Sequence, residues 1–199
     1  MRATSPADIT LPQFTAAFVT FGVFTVFSLL WPETTIENLS LGRTQATIWA
    51  TSIMLIPAFM LYPFHTLSAR VANLAHLFWT FAYSLFLVHA YWAVFIIFDG
   101  IRDTFKQMGT LIAGVNFLLV LWWGLDIVLL WTVRSTSPAA ARFQIATRVF
   151  TFLVFAITLI ALRGGSVRVL GIVFVAVAVL ALAVRLWVRE SGDSYTAAT

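Results

Sequence analysis

Two histidines and one aspartate stand out in this chain because each lies inside a long apolar segment. His76 and His89 bracket the stretch HLFWTFAYSLFLVH, and Asp126 follows WWGL in the next apolar segment. Imidazole nitrogens ligate haem iron, and ionisable groups inside a membrane often mark proton relays or ligand sites. These three side chains define the first candidate site.

The spacing of the two histidines argues against one shared metal ion and against two stacked haem ligands on one helix. They are 13 residues apart. On an α-helix this spacing rotates one residue from the other by about 220° and separates them by about 20 Å. A haem bound to either histidine would therefore take its second axial ligand from another helix or another subunit.

His76 belongs to a polar stripe, and His89 lies on the opposite face of the same predicted helix among Phe78, Leu85, Trp92 and Ile96. The stripe comprises five residues within about 80° of one another, Asn73, His76, Thr80, Tyr83 and Tyr91. Polar side chains in a membrane normally face the interior of a helix bundle. We therefore expect the stripe to face inward.

The next apolar helix supplies partners at two levels if the two helices are antiparallel neighbours. Asp126 would lie near the level of His76, and Asn116 near the level of His89. Because the histidines diverge, the inner level with His76 and Asp126 is favoured. Three interpretations remain open for it: a structural pair in which Asp126 accepts a hydrogen bond from His76 or Tyr83, a proton or solute pathway, and haem or metal ligation.

The elements that position these residues follow from composition. The chain has 199 residues, 61% hydrophobic and 10% charged, far fewer charges than the roughly 25% of an average globular domain. Apolar runs of about 20 residues cross a membrane as helices, so we predict an all-α integral membrane protein, a polytopic bundle of about six transmembrane helices with short loops. The predicted spans are 13–31, 46–62 with Pro57 inside, 71–98, 107–133, 149–162 and 169–184.

Charge sets the expected partners and orientation. The 12 basic residues are scattered between spans, whereas a nucleic-acid footprint would be clustered, so we expect the lipid bilayer and no nucleic acid as a partner. Seven of them lie on the side of the membrane that holds the N-terminus and five on the other side. Because basic residues are enriched in cytoplasmic loops, this predicts a bacterial inner-membrane protein with both termini in the cytoplasm. The seven are Arg2, Arg70, Arg134, Arg142, Arg148, Arg185 and Arg189.

The chain also divides by composition. Residues 1–134 form an aromatic core of four helices that holds nearly all the intramembrane polar groups, residues 135–190 a connecting loop and a C-terminal hairpin, and residues 191–199 a flexible tail. Chemistry is therefore expected in the first four helices.

These features favour a non-catalytic membrane subunit that packs against other membrane proteins, in an electron-transfer complex. A haem b, pigment or quinone would be held or lined by cofactor-binding candidates His76, His89, Tyr83, Asp126 and Asn116. One alternative is a small proton-coupled transporter or channel using His76, Tyr83 and Asp126. Another is an intramembrane lipid-modifying enzyme, which would depend on Asp99 and Asp103 in the loop FDGIRDTFK.

Overall fold

The computed structural model describes residues 9–35, 38–133 and 137–197, with side chains described as far as Arg189. It is an all-α polytopic bundle in which six helices are long and apolar enough to cross a membrane. The eight α-helices are α1 (Leu11–Leu30), α2 (Pro32–Thr35), α3 (Leu39–Leu61), α4 (Ala69–Tyr91), α5 (Ile101–Met108), α6 (Thr110–Thr132), α7 (Pro138–Ala156) and α8 (Gly165–Ala197). The predicted fold class is thereby confirmed.

Three short helical segments extend these elements. A 3₁₀ turn at Tyr62–Phe64 follows α3, and π-helical segments at Trp92–Ile97 and Ile157–Ala161 continue α4 and α7. The α3 helix runs through Pro57 without ending there. Together with the extensions, α3, α4 and α7 are each long enough to span the bilayer.

The last two spans begin earlier than the charge pattern predicted. Instead of starting at residue 149, α7 starts at Pro138, and the Ser137 side chain accepts a hydrogen bond from the Ala140 backbone N–H. Ser at the N-cap followed by Pro at the first helical position is a strong start signal. As a result, Arg148 lies within a span and no longer counts among the basic residues outside the membrane. The ratio of basic residues on the two sides then falls from 7:5 to 6:5.

The α4 helix lies at the centre of the bundle, packed against α1, α3 and α6. The prediction that the third and fourth spans adjoin is confirmed by side-chain contacts between α4 and α6. The prediction of a single inward stripe is wrong at two points. Tyr91 in the stripe is 54% exposed, whereas Leu85 on the opposite face is fully buried, because α4 has neighbours on both faces.

The C-terminal helix packs on the first part of the chain. The α8 helix contacts α3 and the π-helical segment that ends the fifth span. Buried Phe174 of α8 lies edge-on to Phe59 of α3 and contacts Phe152 of α7. These rings belong to the same buried core as the aromatic residues of α4 and α6.

Candidate functional site

The candidate site is centred on the carboxylate of Asp126, which α6 holds in the interior of the bundle with no exposed surface. Its Oδ2 accepts a hydrogen bond from Trp79 Nε1 of α4 at 2.7 Å. Its Oδ1 accepts one from Arg148 Nη1 of α7 at 3.2 Å. One carboxylate therefore joins three membrane-spanning helices.

Arg148 neutralises this carboxylate from within the bilayer. Its side chain is 6% exposed, and Nη1 also donates to the backbone carbonyl of Gln144 at 2.9 Å. The guanidinium carbon lies 4.5 Å from the ring centre of Tyr62 and 5.1 Å from that of Trp79. Aromatic faces stabilise a desolvated cation, so the charge of Arg148 is compensated by one carboxylate, one carbonyl and two rings.

A shell of aromatic side chains encloses the pair. Trp79 packs at 4.6 Å between ring centres on Trp123, which is fully buried, and lies edge-on to Phe59. Trp123 in turn contacts Phe86 and Phe155. The shell keeps lipid and water away from the ion pair, which strengthens its electrostatic attraction.

Tyr83 lies beside the pair without binding it. Its hydroxyl donates to the Val120 carbonyl at 3.1 Å and sits over Gly124, where an added Cβ would come within 2.5 Å of that hydroxyl. Gly124 therefore allows the close approach of α4 and α6 at this point. The expected hydrogen bond from Tyr83 to Asp126 is wrong, because the tyrosine hydroxyl reaches the α6 backbone at Val120, six residues or nearly two helical turns before that carboxylate.

His76 does not bind Asp126 either. Its side chain is buried, but within the described residues Nδ1 makes no hydrogen bond. The proposed pairing of His76 with Asp126 is therefore wrong, since the donors that reach this carboxylate are Trp79 and Arg148. Two other buried polar atoms of the described part of the chain lack partners, Trp123 Nε1 and Thr147 Oγ1.

His89 faces α3 instead of Asn116. Its Nδ1 lies 2.9 Å from the Thr44 carbonyl oxygen and 3.5 Å from Thr47 Oγ1. Because a carbonyl can only accept, Nδ1 carries the proton and Nε2 keeps its lone pair. The polar partners of His89 therefore lie on α3, and Asn116 is a half-buried residue of α6.

The loop carboxylates Asp99 and Asp103 lie at the end of the bundle opposite to the N-terminus, where Asp103 forms a local ion pair. Asp103 and Lys106 are joined at 2.6 Å on α5, both partly exposed to solvent. Asp99 is exposed and adopts a positive φ in the turn that leads into α5. Within the described residues, no three His, Asp or Glu side chains gather as a metal site would require.

Comparison with known proteins does not assign the chain to a family. No protein-family model matches the chain, and no curated protein or solved structure matches it. The function therefore has to be argued from the chain's own residues.

Sequence reasoning missed the two residues that bind Asp126. Arg148 was assigned to the boundary of a span, and Trp79 was not among the candidate site residues. A signal for Arg148 was present in SPAAARFQIATR, which combines a helix N-cap, a proline at the first position and ten further residues with good helix formers. That reading would have brought Arg148 into the membrane beside α6.

Proposed function

We propose that this chain is a non-catalytic integral membrane subunit that packs against partner proteins in a bacterial cytoplasmic membrane, with both termini in the cytoplasm. The observation that carries the proposal is the Asp126–Arg148 pair. Its charges are neutralised between three helices, which fixes the helices in one register, as buried polar groups can do. A bundle fixed in this way is suited to presenting a constant surface to a partner.

The segments that connect the spans support the same role. Between membrane-spanning helices, the described connections comprise the one-turn helix α2, the two-turn helix α5 and a few residues elsewhere. A partner would therefore recognise this chain largely through its intramembrane faces.

One such face is an aromatic cluster on α1 and α4. Phe21 and Phe81 stack at 5.1 Å, and Phe18 lies 5.9 Å from Phe81. Phe14 and Phe18 are about half exposed. Aromatic side chains give large contact areas at small entropic cost and are enriched in protein interfaces, so this aromatic face is the proposed contact with a partner subunit.

Purification from native membranes in a mild detergent, with mass spectrometry of the co-purifying chains, tests the proposal. We expect at least one partner chain in a fixed ratio, and we expect the double variant Phe14→Ala/Phe18→Ala to lose it. Leu180→Ala, which is exposed on α8, is the matched control and should retain the partner. A protein that is isolated alone in several mild detergents would refute the subunit role.

The finer assignment to an electron-transfer complex rests on His89. An imidazole whose Nδ1 donates to a backbone carbonyl has its Nε2 free to ligate a metal, as in many haem and metal sites. An optical spectrum of the intact complex should contain a Soret band that His89→Gln removes and His65→Gln leaves unchanged. A complex without that band and without an extractable quinone or pigment would refute the redox assignment and leave the subunit role standing.

One observation favours a second function, a proton-coupled transporter or channel. Ionisable residues buried within membrane spans often lie on proton or ion pathways, and Asp126 is such a residue. In reconstituted vesicles this function predicts a pH-driven flux that Asp126→Asn abolishes and Asp103→Asn preserves. Equal flux through wild type and Asp126→Asn would exclude it.

A further inference from the structure

A shallow, open groove lies along the exposed face of α7. Its volume is about 420 Å³, and it is lined by Arg142, Ile145, Ala146, Val149, Phe150 and Leu153. Ala146 forms the low floor between larger side chains, and Phe150 is supported from behind by Trp122 of α6 at 5.4 Å between ring centres.

The length of the groove matches one leaflet of a membrane. Arg142 and Leu153 are 11 residues apart, which corresponds to about 16 Å along the helix axis. Half of a hydrocarbon core of about 30 Å is nearly the same length. The groove can therefore accommodate an acyl chain that enters from the side where α7 begins.

A single cation stands at the entrance to the groove. Arg142 is exposed and lies one turn after the start of α7, where the helix dipole adds positive potential and the first turn holds no acidic residue. Within the described residues it makes no salt bridge, whereas Arg148, less than two turns further on, is neutralised by Asp126. An anionic group at the level of the lipid headgroups would complement Arg142.

We propose that this groove is a site for an anionic phospholipid, with the phosphate on Arg142 and an acyl chain over Ala146 toward Leu153. The arrangement combines an exposed cation, which makes no salt bridge within the described residues, with a shallow apolar groove of leaflet length. A transmembrane helix of a partner would fill the same apolar channel but would leave Arg142 without an anion. The proposal does not depend on the subunit role.

Native mass spectrometry of the detergent-purified protein tests this site, after incubation with equal amounts of phosphatidylglycerol and phosphatidylcholine. We expect the wild type to retain phosphatidylglycerol preferentially. Arg142→Gln should lower that retention about fivefold, which corresponds to the roughly 1 kcal/mol that a basic residue gains at an anionic membrane surface. Arg163→Gln, an equal change of charge at the other end of the fifth span, should have little effect.

A second variant tests the contribution of the apolar groove to lipid binding separately from that of the Arg142 charge. Ala146→Phe should fill the channel and lower phosphatidylglycerol retention with no change in net charge, whereas Ala176→Phe on the exposed side of α8 should not. Unchanged retention in both Arg142→Gln and Ala146→Phe would overturn the proposal. So would equal losses in Arg142→Gln and Arg163→Gln, or a groove variant that dissociates a protein partner while lipid retention stays the same.

Discussion

Arg148 Nη1 lies 3.2 Å from Asp126 Oδ1 inside the bundle, although the two residues are 22 positions apart and on different membrane-spanning helices. Both side chains are almost completely buried. The pair turns two charges that are each unfavourable in hydrocarbon into one neutral unit. Much of what can be tested about this protein follows from that unit.

Removing the cation should destabilise the bundle. In Arg148→Met, Asp126 keeps its hydrogen bond from Trp79 but loses its countercharge, and breaking one side of a buried pair typically costs about 3–5 kcal/mol. We expect a clearly lower midpoint in thermal denaturation in detergent. The double variant Asp126→Asn/Arg148→Met should recover most of that loss, and Arg163→Met should behave like the wild type. A single variant as stable as the wild type would show that the pair contributes little to folding.

The indole N–H of Trp79 should contribute separately from its ring. Trp79→Phe retains an aromatic ring against Trp123 and Arg148 but removes the donor to Asp126 Oδ2, and hydrogen bonds to charged groups contribute about 1.5–3 kcal/mol. The same thermal measurement should report a loss of that order. Trp122→Phe is the control, because the Trp122 indole N–H makes no hydrogen bond within the described residues. Equal effects of the two substitutions would assign the Trp79 effect to ring size.

Gly124 should tolerate a methyl group only if Tyr83 moves. In Gly124→Ala the new Cβ would lie 2.5 Å from the tyrosine hydroxyl, so we expect the hydrogen bond from Tyr83 to Val120 to break and stability to fall by about 1 kcal/mol or more. Tyr83→Phe removes the clashing oxygen. The Gly124→Ala substitution should therefore cost less in a Tyr83→Phe background, and a double-mutant cycle measures that coupling. Independent effects would contradict the contact.

At Gly171, α8 packs closely on the π-helical end of the fifth span. An added Cβ there would lie 2.6 Å from Leu159 Cβ and 3.2 Å from the Leu159 backbone carbon, atoms that cannot simply rotate away. Gly171→Ala should therefore lower the denaturation midpoint strongly. Gly114 has no atom within 4 Å of the corresponding position, so Gly114→Ala should be neutral or should stabilise by up to about 1 kcal/mol. A larger loss of stability in Gly114→Ala than in Gly171→Ala would contradict the packing of α8 described above.

The helix bundle could be predicted because the lengths of the uncharged segments and of the loops between them are visible in the sequence. Long uncharged segments require a membrane, and loops shorter than a few turns require antiparallel neighbours, which brought α4 beside α6. The loop FDGIRDTFK contains α5, where Asp103 and Lys106 form a local ion pair.

The partners of Asp126 could not be predicted by treating charges as the ends of spans. That rule holds where a side chain can reach headgroups or water, but Arg148 is stabilised in place by a carboxylate and two aromatic rings. For the histidines, helix periodicity gave their divergence correctly. It did not give their neighbours, because α3 packs on the face of α4 that carries His89, opposite the stripe.

The location of the two opposite charges on consecutive spans bears on how the protein is made. An aspartate or arginine at the centre of an isolated helix raises the cost of entering the bilayer from the translocon by about 2.5–3.5 kcal/mol. Asp126 and Arg148 are separated by a short connection that includes the described residues Val133 and Ser137. Asp126 is therefore synthesised only 22 residues before its countercharge, and release of α6 and α7 into the lipid as a pair would spare each the penalty of entering alone.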